Sequence, residues 1–156
     1  MRLLVVLSGL PGSGKSFFAS SLPPSKDRLV IEEDAVRERL YGSGRPYSMK
    51  DVKDAMAEEA SAFLLSRPNG TVYLDSAHLL RRDRLAALDG VLHWDRAVLL
   101  WFSTPLEVAR ERNAARPDDR RVPESVFTFM AASYQAPSKE EENRFSFVYH
   151  YPGPAL

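Results

Sequence analysis

The stretch GLPGSGKS, residues Gly9–Ser16, decides the fold. It fits the pattern G-x-x-x-x-G-K-[ST]. Its context agrees, because the apolar run Leu3–Leu7 precedes it and a helical pattern follows from Lys15. Gly9, Gly12 and Gly14, with Ser13 between the last two, let backbone N–H groups curl around phosphate oxygens without Cβ atoms in the way. The N-terminus of the following helix adds partial positive charge. In such a loop Lys15 reaches the β- and γ-phosphates and the Ser16 hydroxyl binds Mg²⁺. The bland alternative is a Gly-rich turn with no ligand, and pattern and context together disfavour it. The loop thus implies ATP, or another nucleoside triphosphate, with Mg²⁺. It does not say what is done with the nucleotide.

Outward from the loop, apolar runs of strand length alternate with helical patterns. Strands are predicted at Leu3–Leu7, Arg28–Glu32, Thr71–Asp75, Ala97–Phe102 and Phe145–His150. Helices are predicted at Lys15–Leu22, Ala35–Tyr41, Met49–Ser66, Arg82–Leu92, Pro105–Ala115 and Glu124–Ser133. The first, third and fourth strands are nearly continuous apolar runs, as expected when both sheet faces are covered. Alternation of this kind implies right-handed crossovers and a parallel α/β sheet. Asn69-Gly70 reads as the turn feeding the third strand. The tail PGPAL is expected to be frayed or a truncation point. All of this fits a single domain over 1–156, with no internal repeat.

Composition narrows the classes. A chain of 156 residues, 44% hydrophobic, can bury a substantial core. Twenty-one basic residues balance 21 acids, which argues against a large duplex-DNA footprint but not against a short basic channel. The absence of cysteine excludes disulfides, thiolate zinc and a cysteine nucleophile. The apolar runs are too short to span a bilayer, so a membrane is not an expected partner. The start, MRLLVVLSGL, lacks a cleavage site and reads as a buried strand of a cytoplasmic protein.

In an open parallel sheet, ligands sit outside the carboxyl ends of the strands. Two further acidic stretches fall there. IEEDAVR, Ile31–Arg37, follows the second strand, and Asp75 ends the third much as a Walker B acid does. Asp34 and Arg37 are three apart and share a helix face. Asp34 suits a general base near an acceptor hydroxyl, and Arg37 suits the acceptor phosphate or the transition state. Asp75 is a second candidate for Mg²⁺ and for the substrate site. Each has a plainer reading. Asp34 could cap the helix Ala35–Tyr41, Asp75 could cap the next segment, and Arg37 could be a solvated charge. Glu32 reads as the structural member of the acidic trio, and Glu33 as an acid beside the acceptor channel that would repel a polyanion. Arg112 and Arg116 enter a charged loop and suit a lid over the nucleotide, about 112–123, against the alternative of a solvated helix face. His78 is the one histidine near this edge, and none of the three shows metal spacing.

Together these residues resemble the polynucleotide 5′-kinases of phage and animals, a branch of the adenylate-kinase-like P-loop fold. GLPGSGKS looks like that family's loop, with Phe17 where Thr is usual. The resemblance implies that Asp34 is the general base and Arg37 the acceptor-phosphate arginine. VARERNAARPDDRRVP is similar to the family's lid segment, which maps the lid arginines onto Arg112 and Arg116 and the acceptor floor onto Val122 and Pro123. It further implies a P-loop NTPase with a five-stranded parallel sheet of order 2-3-1-4-5, flanking helices and a helical or loop lid. The implied activity is ATP-dependent phosphorylation of a 5′-hydroxyl end of DNA or RNA, with single-stranded ends as substrate. Two departures keep other readings open: Glu33 stands where Arg is common, and Ser76-Ala77 where Thr-Asn is usual. One alternative is a kinase of this fold acting on another hydroxyl, in a hydroxymethylated base, nucleoside, sugar or antibiotic. The other is a nucleotide-binding module without catalysis.

Overall fold

The computed structural model describes residues 1–152; the last four residues of the PGPAL tail lie outside the described residues. Five strands form one parallel sheet: β1 (Leu3–Ser8), β2 (Arg28–Glu32), β3 (Thr71–Asp75), β4 (Arg96–Phe102) and β5 (Phe147–Tyr151). Their order is β2-β3-β1-β4-β5, the order the resemblance implies. β1 is central because it is the most apolar run, and Leu4, Val6 and Leu7 are fully buried there. Register places Leu7, Asp75 and Glu32 side by side at the carboxyl edge.

The helices are α1 (Lys15–Ser20), α2 (Glu33–Tyr41), α3 (Met49–Ser66), α4 (Arg81–Gly90), α5 (Leu106–Ala114), α6 (Glu124–Ser133) and α7 (Lys139–Arg144). α3 shows why the pattern folds this way. Ser48 caps it by accepting the Asp51 N–H, and Val52, Met56, Ala60 and Leu64 form one buried i+4 stripe. Burying each of the larger three contributes roughly 1.5–3 kcal/mol. The stripe packs on Leu4, Val6, Val72 and Leu99, the main core. A smaller cluster of Val5, Leu7, Ala19 and Phe102 lies beneath α1 on the other face.

The structure moves some boundaries. α2 begins at Glu33, with Glu32 in the cap position, so Asp34 sits in the first turn and is not the N-cap. Both Glu33 and Asp34 then favour the positive end of the helix dipole. Pro105 is the residue before α5, not inside it, whereas α6 keeps the predicted span Glu124–Ser133. α7 was not expected. Its signature is a capping box in which Ser138 accepts from Glu141 N–H while the Glu141 carboxylate accepts from Ser138 N–H. Because α7 runs to Arg144, β5 starts two residues later than the sequence pattern suggests, and Phe145 turns into the core.

Candidate active site

The loop Gly9–Ser16 leaves β1 and wraps into α1 at the sheet's carboxyl edge. Gly12 has φ +82° and lies so close to α5 that a Cβ would meet the Ala109 carbonyl oxygen at 2.3 Å. Glycine there permits both the left-handed turn and the contact with the helix that leads into the lid. The buried Thr104 hydroxyl donates to the Ser13 carbonyl at 2.7 Å and braces the loop from β4's exit. No motif or spacing pointed to Thr104.

Lys15 is buried and folds back across the loop, donating to the carbonyls of Gly9 at 2.7 Å and Leu10 at 3.0 Å. Burial lowers its pKa to about 8, although the Asp75 carboxylate pulls the other way. The Ser16 hydroxyl donates to Asp75 Oδ2 at 3.0 Å. Burial pushes the Asp75 carboxyl above its ordinary value, against the Lys15 ammonium and the Ser16 hydrogen bond. Ser16 and Asp75 present hard oxygen donors beside Lys15, the donor chemistry that suits Mg²⁺ shared with phosphate oxygens. Among the described residues no group of three or more His, Cys, Asp or Glu forms a self-contained metal cage.

Two cavities open from this centre. One, of about 510 Å³, is lined by Gly12, Gly14, Phe17, Arg112 and Tyr151. The other, of about 410 Å³, is lined by Glu32, Asp34, Arg37, Tyr47, Arg120 and Val122. Lys15, Ser16 and Arg116 line both. Asp75 and Pro123 line the second. The residues singled out in the sequence line one or both cavities, apart from His78 and from Gly9, which packs against Phe102 and Ser13. Phe17 projects at the first cavity with 80% of its surface exposed. Arg112 reaches over the loop and donates to the Gly12 carbonyl at 3.3 Å.

At the second cavity Arg37 donates to Asp34 at 3.0 Å and lies 5.0 Å from the centroid of the Tyr47 ring. The acidic trio divides differently from expectation. Glu33 is the tied residue: Lys53 stands 2.8 Å from it, and the Ser76 hydroxyl donates to it at 2.7 Å. Burial alone would raise the Glu33 carboxyl, but Lys53 and Ser76 outweigh it and hold it below its ordinary value. Its charge is neutralised, so it is not a bare repulsive acid. Glu32, read as structural, instead lines the cavity, with no hydrogen-bond or ion-pair partner among the described residues. Burial, and then the Asp75 carboxylate, push its carboxyl upward.

His78 is placed near the edge but plays no exposed part. It is buried, its Nδ1–H donates to the Leu7 carbonyl at 2.7 Å, and burial lowers its pKa to about 3. It is a neutral packing group. The segment 115–123 joins α5 to α6, and buried Asn113 clasps it by donating to Val122 O at 2.7 Å and accepting from Val122 N–H at 3.0 Å. Sequence reasoning passed over Asn113, Lys53, Tyr47 and Arg120.

No helix among the described residues is long and apolar enough to cross a membrane. No curated protein matches the chain. Among solved structures, Chaetomium thermophilum Kti12 in complex with ADP-AlF3 is similar at TM-score 0.69 and 20% identity, over 96% of this chain and 88% of that one. An unliganded sugar kinase from a Janibacter species is similar at TM-score 0.66 and 23% identity, over 96% and 85%. A chain of the Pnkp1/Rnl/Hen1 RNA repair complex is similar at TM-score 0.73 and 20% identity, over 94% of this chain but 47% of that one. These likenesses show a shared fold. The family model for the AAA domain (AAA_33) matches residues 4–137, from β1 through the phosphate loop, the Asp75 edge and the lid to the turn before α7, and the chain belongs to that family.

Proposed function

We propose that the protein is an ATP-dependent kinase that transfers the γ-phosphoryl group to the 5′-hydroxyl end of a nucleic acid strand. The observation that carries this reading is the meeting of the two cavities at Lys15, Ser16 and Arg116, with the Asp34–Arg37 pair in the wall of the second. A donor in the first cavity and an acceptor in the second would face each other across those three residues.

In this reading the loop N–H groups and Lys15 bind the β- and γ-phosphates. Mg²⁺, held by Ser16 and Asp75, would neutralise charge on the phosphates. Asp34 removes the proton of the acceptor hydroxyl as its oxygen bonds to the γ-phosphorus. The bond to the bridging oxygen breaks, and ADP leaves. Arg116, at the junction, stabilises charge on the moving phosphoryl group, and Arg112 holds the nucleotide from the lid side. Val122 and Pro123 supply the acceptor floor, and Phe17 flanks the donor.

The experiment is incubation with Mg-ATP labelled at the γ-position and a panel of 5′-hydroxyl DNA and RNA oligonucleotides. Labelled ends are expected; an unlabelled panel would dismiss the reading. A second reading, a kinase of a small polyhydroxyl compound, is favoured by the carboxylates Glu32 and Asp119 in the acceptor wall, which can accept hydrogen bonds from hydroxyls. Turnover of nucleosides or sugars without oligonucleotide turnover would select it.

A further inference from the structure

The lid carries arginines at four-residue intervals: Arg112, Arg116 and Arg120. They step from one cavity to the other. Arg112 lines the first, Arg116 both, and Arg120 only the second. None of the three has a carboxylate within ion-pair distance among the described residues. Their neighbours do: Arg110 pairs with Glu124 at 2.8 Å and Arg121 with Asp118 at 2.8 Å. A guanidinium is charged at every working pH and matches phosphate oxygens in geometry. Left without a carboxylate on a cavity wall, it is available to a ligand anion. The nucleotide accounts for Arg112 and Arg116 but not for Arg120.

The backbone that carries the exposed Arg120 side chain is fixed. The Arg120 N–H and that of Arg121 both donate to the Pro117 carbonyl at 2.9 Å, closing a turn, and Asn113 fixes Val122 just beyond. Arg37 is in the opposite condition. It is engaged by Asp34 at 3.0 Å, by the Tyr47 hydroxyl at 3.4 Å and by the Tyr47 ring. Turning it toward a ligand phosphate would release the carboxylate it orients.

We infer that Arg120, not Arg37, holds a phosphate of the acceptor, and that Arg37 is a positioning residue for Asp34. This rests on the kinase reading above and names the acceptor's class: a hydroxyl compound that itself carries a phosphate.

The test compares a nucleoside 3′-monophosphate with the plain nucleoside as acceptors, alongside binding of a 3′-fluorescein 5′-hydroxyl oligonucleotide in the presence of ADP. In the parent, the ratio of kcat/KM is expected to favour the phosphate-bearing acceptor. Arg120→Ala is expected to cut that ratio by about 10-fold or more, chiefly through KM, and to lower the salt slope of oligonucleotide binding by about one. Arg37→Ala is expected to keep the ratio and lower kcat for both acceptors, with Arg37→Lys restoring part of it. The reverse split, or no preference in the parent, overturns the inference. If no oligonucleotide is labelled but a nucleoside 3′-monophosphate is held through Arg120, the polynucleotide reading falls and this inference stands. If no phosphate-bearing acceptor depends on Arg120, the inference falls whichever hydroxyl reacts.

Discussion

The Ser16 hydroxyl, at the first turn of α1, donates to the Asp75 carboxylate at the end of β3 at 3.0 Å, joining the phosphate loop to the neighbouring strand. The hydrogen bond brings together the two oxygens that suit Mg²⁺. Asp75→Asn keeps the shape and a hydrogen-bond acceptor but removes the charge. Transfer is expected to fall at least about 100-fold, as when a preorganised charge at a reacting phosphate is lost, and the Mg²⁺ concentration for half-maximal rate to rise. A Mg²⁺ titration of parent and variant checks this. An unchanged metal requirement would remove Asp75 from the site.

Lys15 ties nucleotide affinity to pH. Burial holds its pKa at about 8 in the empty protein, and a triphosphate beside it restores the charged form. ATP affinity is therefore expected to be level below pH 8 and to weaken above it, by up to about tenfold per pH unit. Stability moves the other way. The unfolded chain keeps this proton up to 10.5, so the unfolded state binds more protons between about 8 and 10.5, and the empty protein gains stability as pH rises through that window. Nucleotide titrations between pH 7 and 10 would show the first effect. A flat profile would mean that the ammonium is not what the phosphates need.

Asp34 stands 68% exposed with Arg37 at 3.0 Å, a geometry open to an incoming hydroxyl. Asp34→Asn is expected to lower kcat by about 10²–10⁴-fold while ATP affinity stays within a few-fold, the signature of a lost base. Equal activity in the variant would restrict Asp34 to a helix-dipole role. Absence of transfer in the parent, with ATP still bound, would favour a nucleotide-binding module.

His78 supplies an acid-stability signature. It is buried, with φ +42°, and burial lowers its pKa to about 3 from an ordinary 6.5. The unfolded chain takes up a proton below pH 6.5 that the folded chain refuses. Its share of stability is thus present above 6.5 and is lost as pH falls toward 3, by up to about 1.4 kcal/mol per pH unit. His78→Asn tolerates the positive φ and removes the titrating group. Urea unfolding at stepped pH is expected to show a shallower acid decline in the variant than in the parent.

Much of this was legible in the sequence because it is local. Gly9–Ser16 states its own backbone, and the strand runs of β1, β3 and β4 state their burial. Asp34, Arg37 and Asp75 follow once those strands are parallel, since parallel strands bring their carboxyl ends to one edge. What stayed hidden depends on contacts distant in the chain. Glu33 looked like a repulsive acid because Lys53 lies 20 positions on and Ser76 a further 23, and no spacing rule links them. Glu32 and Glu33 exchanged roles because α2 starts two residues earlier than the apolar pattern shows. α7 has a capping box but too short an apolar face to be read as a helix.

Arg84 and Glu141, 57 positions apart, make another such link, with an energetic consequence. Both are fully buried, and they meet through two hydrogen bonds of 2.5 and 3.0 Å. The remaining Arg84 donors reach the carbonyls of His78 at 2.9 Å and Gln135 at 2.8 Å. The pair therefore fastens α4 and α7 to the turn after β3, just behind Asp75. Removing one partner leaves the other charge buried and unanswered, so Glu141→Ala is expected to cost roughly 3–5 kcal/mol, read from chemical denaturation. Arg84→Met with Glu141→Leu, which removes both charges at similar volume, is expected to recover much of that loss. Recovery would show that the charges serve packing and alignment. If the double variant instead kept stability but lost transfer, the pair would be setting the position of the Asp75 edge, because the carbonyls of the turn that follows it are what Arg84 holds.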